Sequence, residues 1–214
     1  MDQATFQLPA FIDLGATFAF GLTGAVAAIK RGYDIVGVFF LALASGIGGG
    51  LIRDGVMINQ GTTPLLTDPR YLEVIFTAAL AGMLFGRHVK RFHRTVAVID
   101  ALGLGAYAAF GTQKALHAGL SVPAALLVGV TNAVGGGLLR DLLTGEEPLV
   151  FKPGQFYVLT ALAGAVLFVF LTVQLAVSAT PSALAAIGLT FVFRALTIAF
   201  NWRTAPVQSL AGPV

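Results

Sequence analysis

The chain contains no cysteine. That excludes a disulfide framework, a thiolate metal site and a cysteine nucleophile. Histidine is nearly absent as well, with 3 in all, and His88, His93 and His117 show no metal-ligand spacing. No serine, histidine and aspartate are arranged for nucleophilic catalysis, so the sequence predicts neither an enzyme nor a bound cofactor or metal. Charge is the third scarcity. Only 11% of residues are charged, against about 25% in soluble domains. What fills the space is apolar: 57% of the chain is hydrophobic and mean hydropathy is +0.86. These values predict an integral membrane protein. The isoelectric point near 9.5 invites a nucleic-acid reading, but the basic residues fall between apolar runs, where topology explains them. The first residues, Met1 to Pro9, have no basic n-region and carry Asp2, so the first apolar run is expected to stay in place rather than be cleaved.

A membrane-spanning helix needs about 20 mostly apolar residues, and seven stretches qualify or nearly do. They run from about Phe11 to Ile29, Ile35 to Ile58, Tyr71 to Gly86, Thr95 to His117, Pro123 to Thr144, Gln155 to Val177 and Ala183 to Trp202. The third is the shortest. Counting basic residues in alternate loops puts Lys30, Arg31, Arg87, Lys90, Arg91, Arg94, Lys152 and Arg203 on one side and Arg70 alone on the other. The positive-inside rule then places the first side in the cytoplasm, the N-terminus outside and the C-terminus inside a cell inner membrane. The dense run Arg87 to Arg94 also suits anionic lipid head groups.

The second and fifth stretches share a motif. Ser45-Gly46-Ile47-Gly48-Gly49-Gly50-Leu51-Ile52-Arg53-Asp54 returns as Asn132-Ala133-Val134-Gly135-Gly136-Gly137-Leu138-Leu139-Arg140-Asp141. At the same offset Asp13 matches Asp100, Phe20 matches Tyr107 and Gly24 matches Gly111. Each copy holds three spans. An odd number makes the second copy enter the membrane from the opposite face, which predicts an inverted repeat. The predicted fold is therefore an all-α integral membrane protein. Residues 1–10 form an outer tail, 11–90 the first three-helix repeat, 91–180 the second, 181–203 a seventh helix and 204–214 a cytoplasmic tail.

Glycine costs a helix up to about 1 kcal/mol per residue, and a charge at mid-membrane costs at least about 2.5 kcal/mol on the insertion scale. Both occur twice at one relative place. Close helix packing explains the glycines but not the Arg-Asp that follows each triplet. Helices broken at the glycines, with charges beside the breaks, would border an ion path. Helical rise puts the two charge pairs on the order of 15 Å apart, flanking the midplane. Neighbouring residues point about 100° apart on a helix, so each arginine and aspartate is expected to find a partner elsewhere. Ser45 and Asn132, preceding the triplets, are expected to hydrogen-bond the breaks. Lys114 has Ala27 as its repeat partner and either snorkels to the interface or serves the path. Asp13 and Asp100 are read as favourable charges near helix N-termini. Arg194, deep in the last span, needs a carboxylate, a carbonyl or a neighbouring subunit. The run Gly46 to Gly50 does not match a phosphate-binding loop, lacking the following lysine and the preceding strand.

Two copies of Gly-Gly-Gly-x-x-Arg-Asp in inverted three-span repeats, plus a seventh span, resemble prokaryotic members of the trimeric intracellular cation (TRIC) channel family. The same bacterial group has also been described as glycine transporters. The resemblance covers about Phe11 to Trp202. It implies a homotrimer whose subunits each hold a pore for monovalent cations, chiefly potassium with sodium as a second ion. It implies pore or gating positions at Gly48, Gly49, Gly50, Arg53, Asp54, Gly135, Gly136, Gly137, Arg140 and Asp141, to which the reading of the motif itself adds Asn132, with Lys114 the nearest candidate for a gating residue in the fourth span. The alternative it carries is a secondary transporter for a small amino acid such as glycine.

Overall fold

The computed structural model describes residues 8–59, 63, 67–85, 93–152 and 156–202. Among them every regular element is helical: α1 (Ala10–Lys30), α2 (Ile35–Leu51), α3 (Arg70–Phe85), α4 (His93–His117), α5 (Val122–Leu143), α6 (Tyr157–Val169) and α7 (Ala179–Ala199). The side chains of the basic run 87–94 and all of the tail 204–214 lie outside the described residues.

Local chemistry sets the helix ends. Pro9, in extended conformation, precedes α1. The chain leaves α1 through Gly32 at φ 74°, a left-handed turn that glycine adopts without penalty. Asp34 caps α2, its side chain accepting the Gly37 amide at 2.8 Å. Proline occupies the first turn of α5, where its missing N–H costs nothing. Past Leu51 the second helix widens into a π-helical stretch, Ile52–Ile58, which stops at Asn59 in left-handed conformation. A second π-helical stretch, Phe170–Gln174, ends the sixth helix.

The molecule packs as two three-helix bundles with α7 added to the second. Helix α1 lies against α2, α3 and α4, while α4 lies against α5, α6 and α7, and α2 crosses α5. Val38, Leu41, Ile75 and Ala79 fill the first bundle. Leu104, Tyr107, Ala161 and Phe168 fill the second, joined by Ala179, Ala183 and Ala186 of α7. Phe20 of α1 stacks on Tyr107 of α4 with centroids 5.4 Å apart and ties the two. Alanines dominate the contacts, which lets backbones approach as they do in membrane bundles. Large apolar side chains such as Phe40, Leu84, Leu127 and Phe170 point outward, the arrangement expected where lipid is the solvent. Among the described residues six helices are long and apolar enough to cross a bilayer; α3 is described over 16 residues.

The helices do not break at the glycines, which corrects one detail of the expected fold. Both α2 and α5 keep helical hydrogen bonding through their triplets. The change of geometry comes two residues later, at Ile52, and only in the first copy. Neighbouring backbone packs against Gly49, Gly135 and Gly136, and the uninterrupted helical ladder leaves the backbone groups there paired within the helix.

Candidate functional site

The glycines bring α2 and α5 into backbone contact. A Cβ on Gly49 would overlap the carbonyl oxygen of Asn132, and a Cβ on Gly136 would overlap the carbonyl oxygen of Ser45. These are equivalent positions in the two copies, so each helix offers the same glycine to the same carbonyl of the other. Ser45 and Asn132 do not bond their own helices. The Ser45 hydroxyl donates to the Phe20 carbonyl at 2.8 Å, and the Asn132 amide donates to the Tyr107 carbonyl at 2.8 Å. That corrects the expectation for both: with no break to satisfy, they clamp α2 to α1 and α5 to α4.

On one side of the crossing, Arg53 is 2% exposed. Its Nε donates to Asp54 Oδ1 at 2.7 Å and its Nη2 to Asp54 Oδ2 at 2.8 Å, a bidentate pair. Nη1 reaches Asn132 Oδ1 at 3.3 Å and lies 3.6 Å from Asp13 Oδ1. The guanidinium also covers the Phe110 ring at 5.2 Å. Lys114 Nζ meets Asp54 Oδ1 at 2.8 Å. Asp13 accepts from the Tyr71 hydroxyl of α3. Behind it, Tyr107 donates to the Gly46 carbonyl.

The other side repeats the pattern. Arg140 Nε donates to Asp141 Oδ1 at 2.9 Å. Its Nη1 donates to Asp100 Oδ1 at 3.2 Å and to the Thr23 hydroxyl at 3.0 Å. Thr23 and Phe110, each touching the opposite copy's arginine, are also repeat equivalents. Asp141 Oδ2 accepts the Leu149 amide at 3.3 Å, so the loop after α5 folds back onto the cluster. Arg194 of α7 lies over the Tyr157 ring at 5.0 Å.

The two clusters differ in the space beside them. A cavity of about 280 Å³ opens at the second, lined by Asp100, Arg140, Asp141, Arg194, Glu146 and Lys30 among others. At the first only about 20 Å³ remains, between Asp13, Arg53, Asp54 and Tyr71, room for about one water.

The structure thus gathers Arg53, Asp54, Lys114 and Asn132 at one point, Arg140 and Asp141 at another, and the six triplet glycines between them. It also corrects the expectation that adjacent Arg and Asp avoid one another. The 100° offset describes Cβ directions, whereas an arginine is long enough to fold its planar head back onto its neighbour. Lys114 does not snorkel away; it joins the cluster. Asp13 and Asp100, 2% and 5% exposed, serve the arginines rather than helix N-termini. Sequence reasoning passed over both as site residues, although their shared offset with the motif was the available signal. Tyr71 and Tyr157 carried no such signal, because they do not share the motif's offset, at which Tyr71 pairs with Val158.

Comparison with known proteins agrees with this geometry. A protein-family model described as "Glycine transporter" matches residues 10–87 and again 97–173. A UPF0126 membrane protein of Deinococcus radiodurans is 35% identical over 158 residues, 72% of each chain. The UPF0126 membrane protein YvgT of Bacillus subtilis is 33% identical over 147 residues, 68% of this chain and 72% of the relative. Among solved structures, the TRIC trimeric intracellular cation channel orthologue from Rhodobacter sphaeroides superposes with a TM-score of 0.83 at 30% identity, covering 89% of this chain and 96% of that one. A structure from work on conductance through TRIC cation channels gives 0.80 at 30% identity, covering 94% and 97%. Coverage of this extent at this identity makes the chain a multi-pass membrane protein of the UPF0126 "Glycine transporter" family, the prokaryotic TRIC group that its doubled motif resembles.

Proposed function

We propose that this protein is a monovalent cation channel of potassium type, each subunit of a homotrimer carrying its own path beside the α2–α5 crossing. The observation that carries this reading is the composition of the two clusters. Each repeat contributes two buried carboxylates and one arginine: Asp13, Asp54 and Arg53, then Asp100, Asp141 and Arg140. Each set has a residual negative charge in a low-dielectric setting, where attraction for a cation is stronger than in water. The arginines, neutralised by their own aspartates, do not repel it. The basic-residue count turns the open second cluster towards the cytoplasm. The first cluster is then the outer constriction, closed by Lys114 on Asp54. The channel relatives named above favour ions over a carried solute.

A second reading has one specific observation in its favour. The larger cavity presents both Arg140 and Asp141, opposite charges that an amino-acid zwitterion needs, and the family description names glycine. Purified protein in liposomes separates the two. A channel gives potassium-driven flux far above carrier turnover with no saturable uptake of labelled glycine. Saturable glycine uptake without potassium conductance overturns the channel reading.

A further inference from the structure

We infer that Arg194 of α7 is a tethered counter-cation for the second cluster, standing where a permeant cation would be attracted and thereby setting that cluster's affinity for monovalent cations. The inference rests on the channel reading for its use, but its test does not. The repeat supplies identical charge to both halves, two carboxylates and one guanidinium each. In the first half the residual charge is met by Lys114, 2.8 Å from Asp54. The repeat equivalent of Lys114 is Ala27, so the second half has no lysine at that place. Lys30 at the end of α1 and Lys152 in the loop after α5 line its cavity, balanced there by Glu146 and Glu147, and the buried cation beyond Arg140 comes from the one helix outside the repeat.

Arg194 is 3% exposed. Its guanidinium is held over the Tyr157 ring at 5.0 Å. It lines the same cavity as Asp100, Arg140 and Asp141. The other residues that α7 buries are small, alanine, serine and threonine, so packing gives no reason for an arginine, and a buried charge is retained only where opposite charge compensates it. Arg194 also borders a neighbouring cavity of about 500 Å³ between α4 and α7, sharing Ala97 and Ile198 with the first.

The test is equilibrium binding of thallous ion, a potassium surrogate, to the purified protein by calorimetry. Arg194→Gln leaves the second cluster with net negative charge and is expected to tighten binding roughly tenfold, the scale of one partly screened charge at this range. Arg194→Gln combined with Asp100→Asn restores neutrality and is expected to return to wild-type affinity. Unchanged or weaker binding in a folded Arg194→Gln protein overturns the inference, as does absence of binding by every variant. Should Arg194→Gln not fold, the neutral double variant is compared with Asp100→Asn alone. The double is expected to bind more tightly, and equal affinities overturn the inference. Potassium flux by the wild type is read separately: its absence removes the channel reading and leaves the binding result standing.

Discussion

A buried arginine is stable only as well as its partners are placed. Arg140 is held by Asp141, Asp100 and Thr23 together, and removing one side of such a pair strands the other. Arg140→Gln is therefore expected to destabilise the protein by about 3–5 kcal/mol, measured as a lower melting temperature in detergent. Adding Asp141→Asn is expected to recover part of that loss, with a coupling of at least about 1 kcal/mol in the double-mutant cycle. Additive losses would mean that the two side chains do not act as a unit. Lys114 is a different case, because it is partly exposed and meets a carboxylate that Arg53 already pairs. Lys114→Ala is expected to fold normally and to raise potassium flux several-fold by uncovering Asp54. A full elementary charge crossing the field is worth about 2.3 kcal/mol per 100 mV. Lys114 sits near a helix end and senses part of it, so the variant's voltage dependence flattens modestly. An identical gating curve in planar-bilayer recordings would remove Lys114 from the gate. At this scale the sequence displayed the motif residues plainly, because charge is rare enough in the chain to stand out. It concealed their pairing. Which carboxylate an arginine meets depends on side-chain reach and helix crossing, and Asp13, some forty residues before Arg53, reaches it only because α1 packs along α2.

For the elements, the decisive feature is the crossing of α2 and α5. Gly49→Ala places a methyl group against a backbone carbonyl of Asn132 that cannot move without shifting α5. The variant is expected to lose more than about 3 kcal/mol, as overpacking of a rigid contact does at its upper range, or to fail to assemble. Gly55→Ala meets nothing within 4 Å and is expected to be neutral or slightly stabilising. Similar melting temperatures for the two, in the same detergent, would mean that the close approach is not required. Among the described residues the number of helices and most of their limits followed from apolar run length and the polar loops between the runs. Continuity through the triplets did not follow. Glycine runs weaken an isolated helix, but here Gly48, Gly49, Gly135 and Gly136 each gain a close-packed neighbour from the opposite helix, and tertiary contact outweighs local propensity. The π-helical turn at Ile52–Ile58 likewise has no signature in the residues themselves. It lies where the Arg53–Asp54 pair must face inward.

On the scale of the whole molecule, the two halves are alike in sequence and unlike in openness, and orientation decides which face of the membrane each serves. The wide cavity at Arg140 and Asp141 is bordered by the loop after α5, which carries Glu146 and Glu147 and is tied to the α1–α2 loop by Arg31 to Glu146 at 3.2 Å. The basic-residue count assigns that loop to the cytoplasm and the α4–α5 turn to the outside. The natural absence of cysteine makes this directly measurable, because one introduced thiol is the only thiol present. Ser121 and Glu147 are both exposed and lie on opposite sides by this assignment. Ser121→Cys is expected to react with a membrane-impermeant maleimide in intact cells. Glu147→Cys is expected to react only after the membrane is opened. The reverse pattern would turn the wide cavity outward and make Lys114 close the cytoplasmic side, so that ions would enter from outside through the unplugged half. Equal labelling of both sites in intact cells would indicate two insertion orientations. That outcome is physically accessible to a repeat whose halves differ by so few charges, and the excess of lysine and arginine on one set of loops is what stands against it.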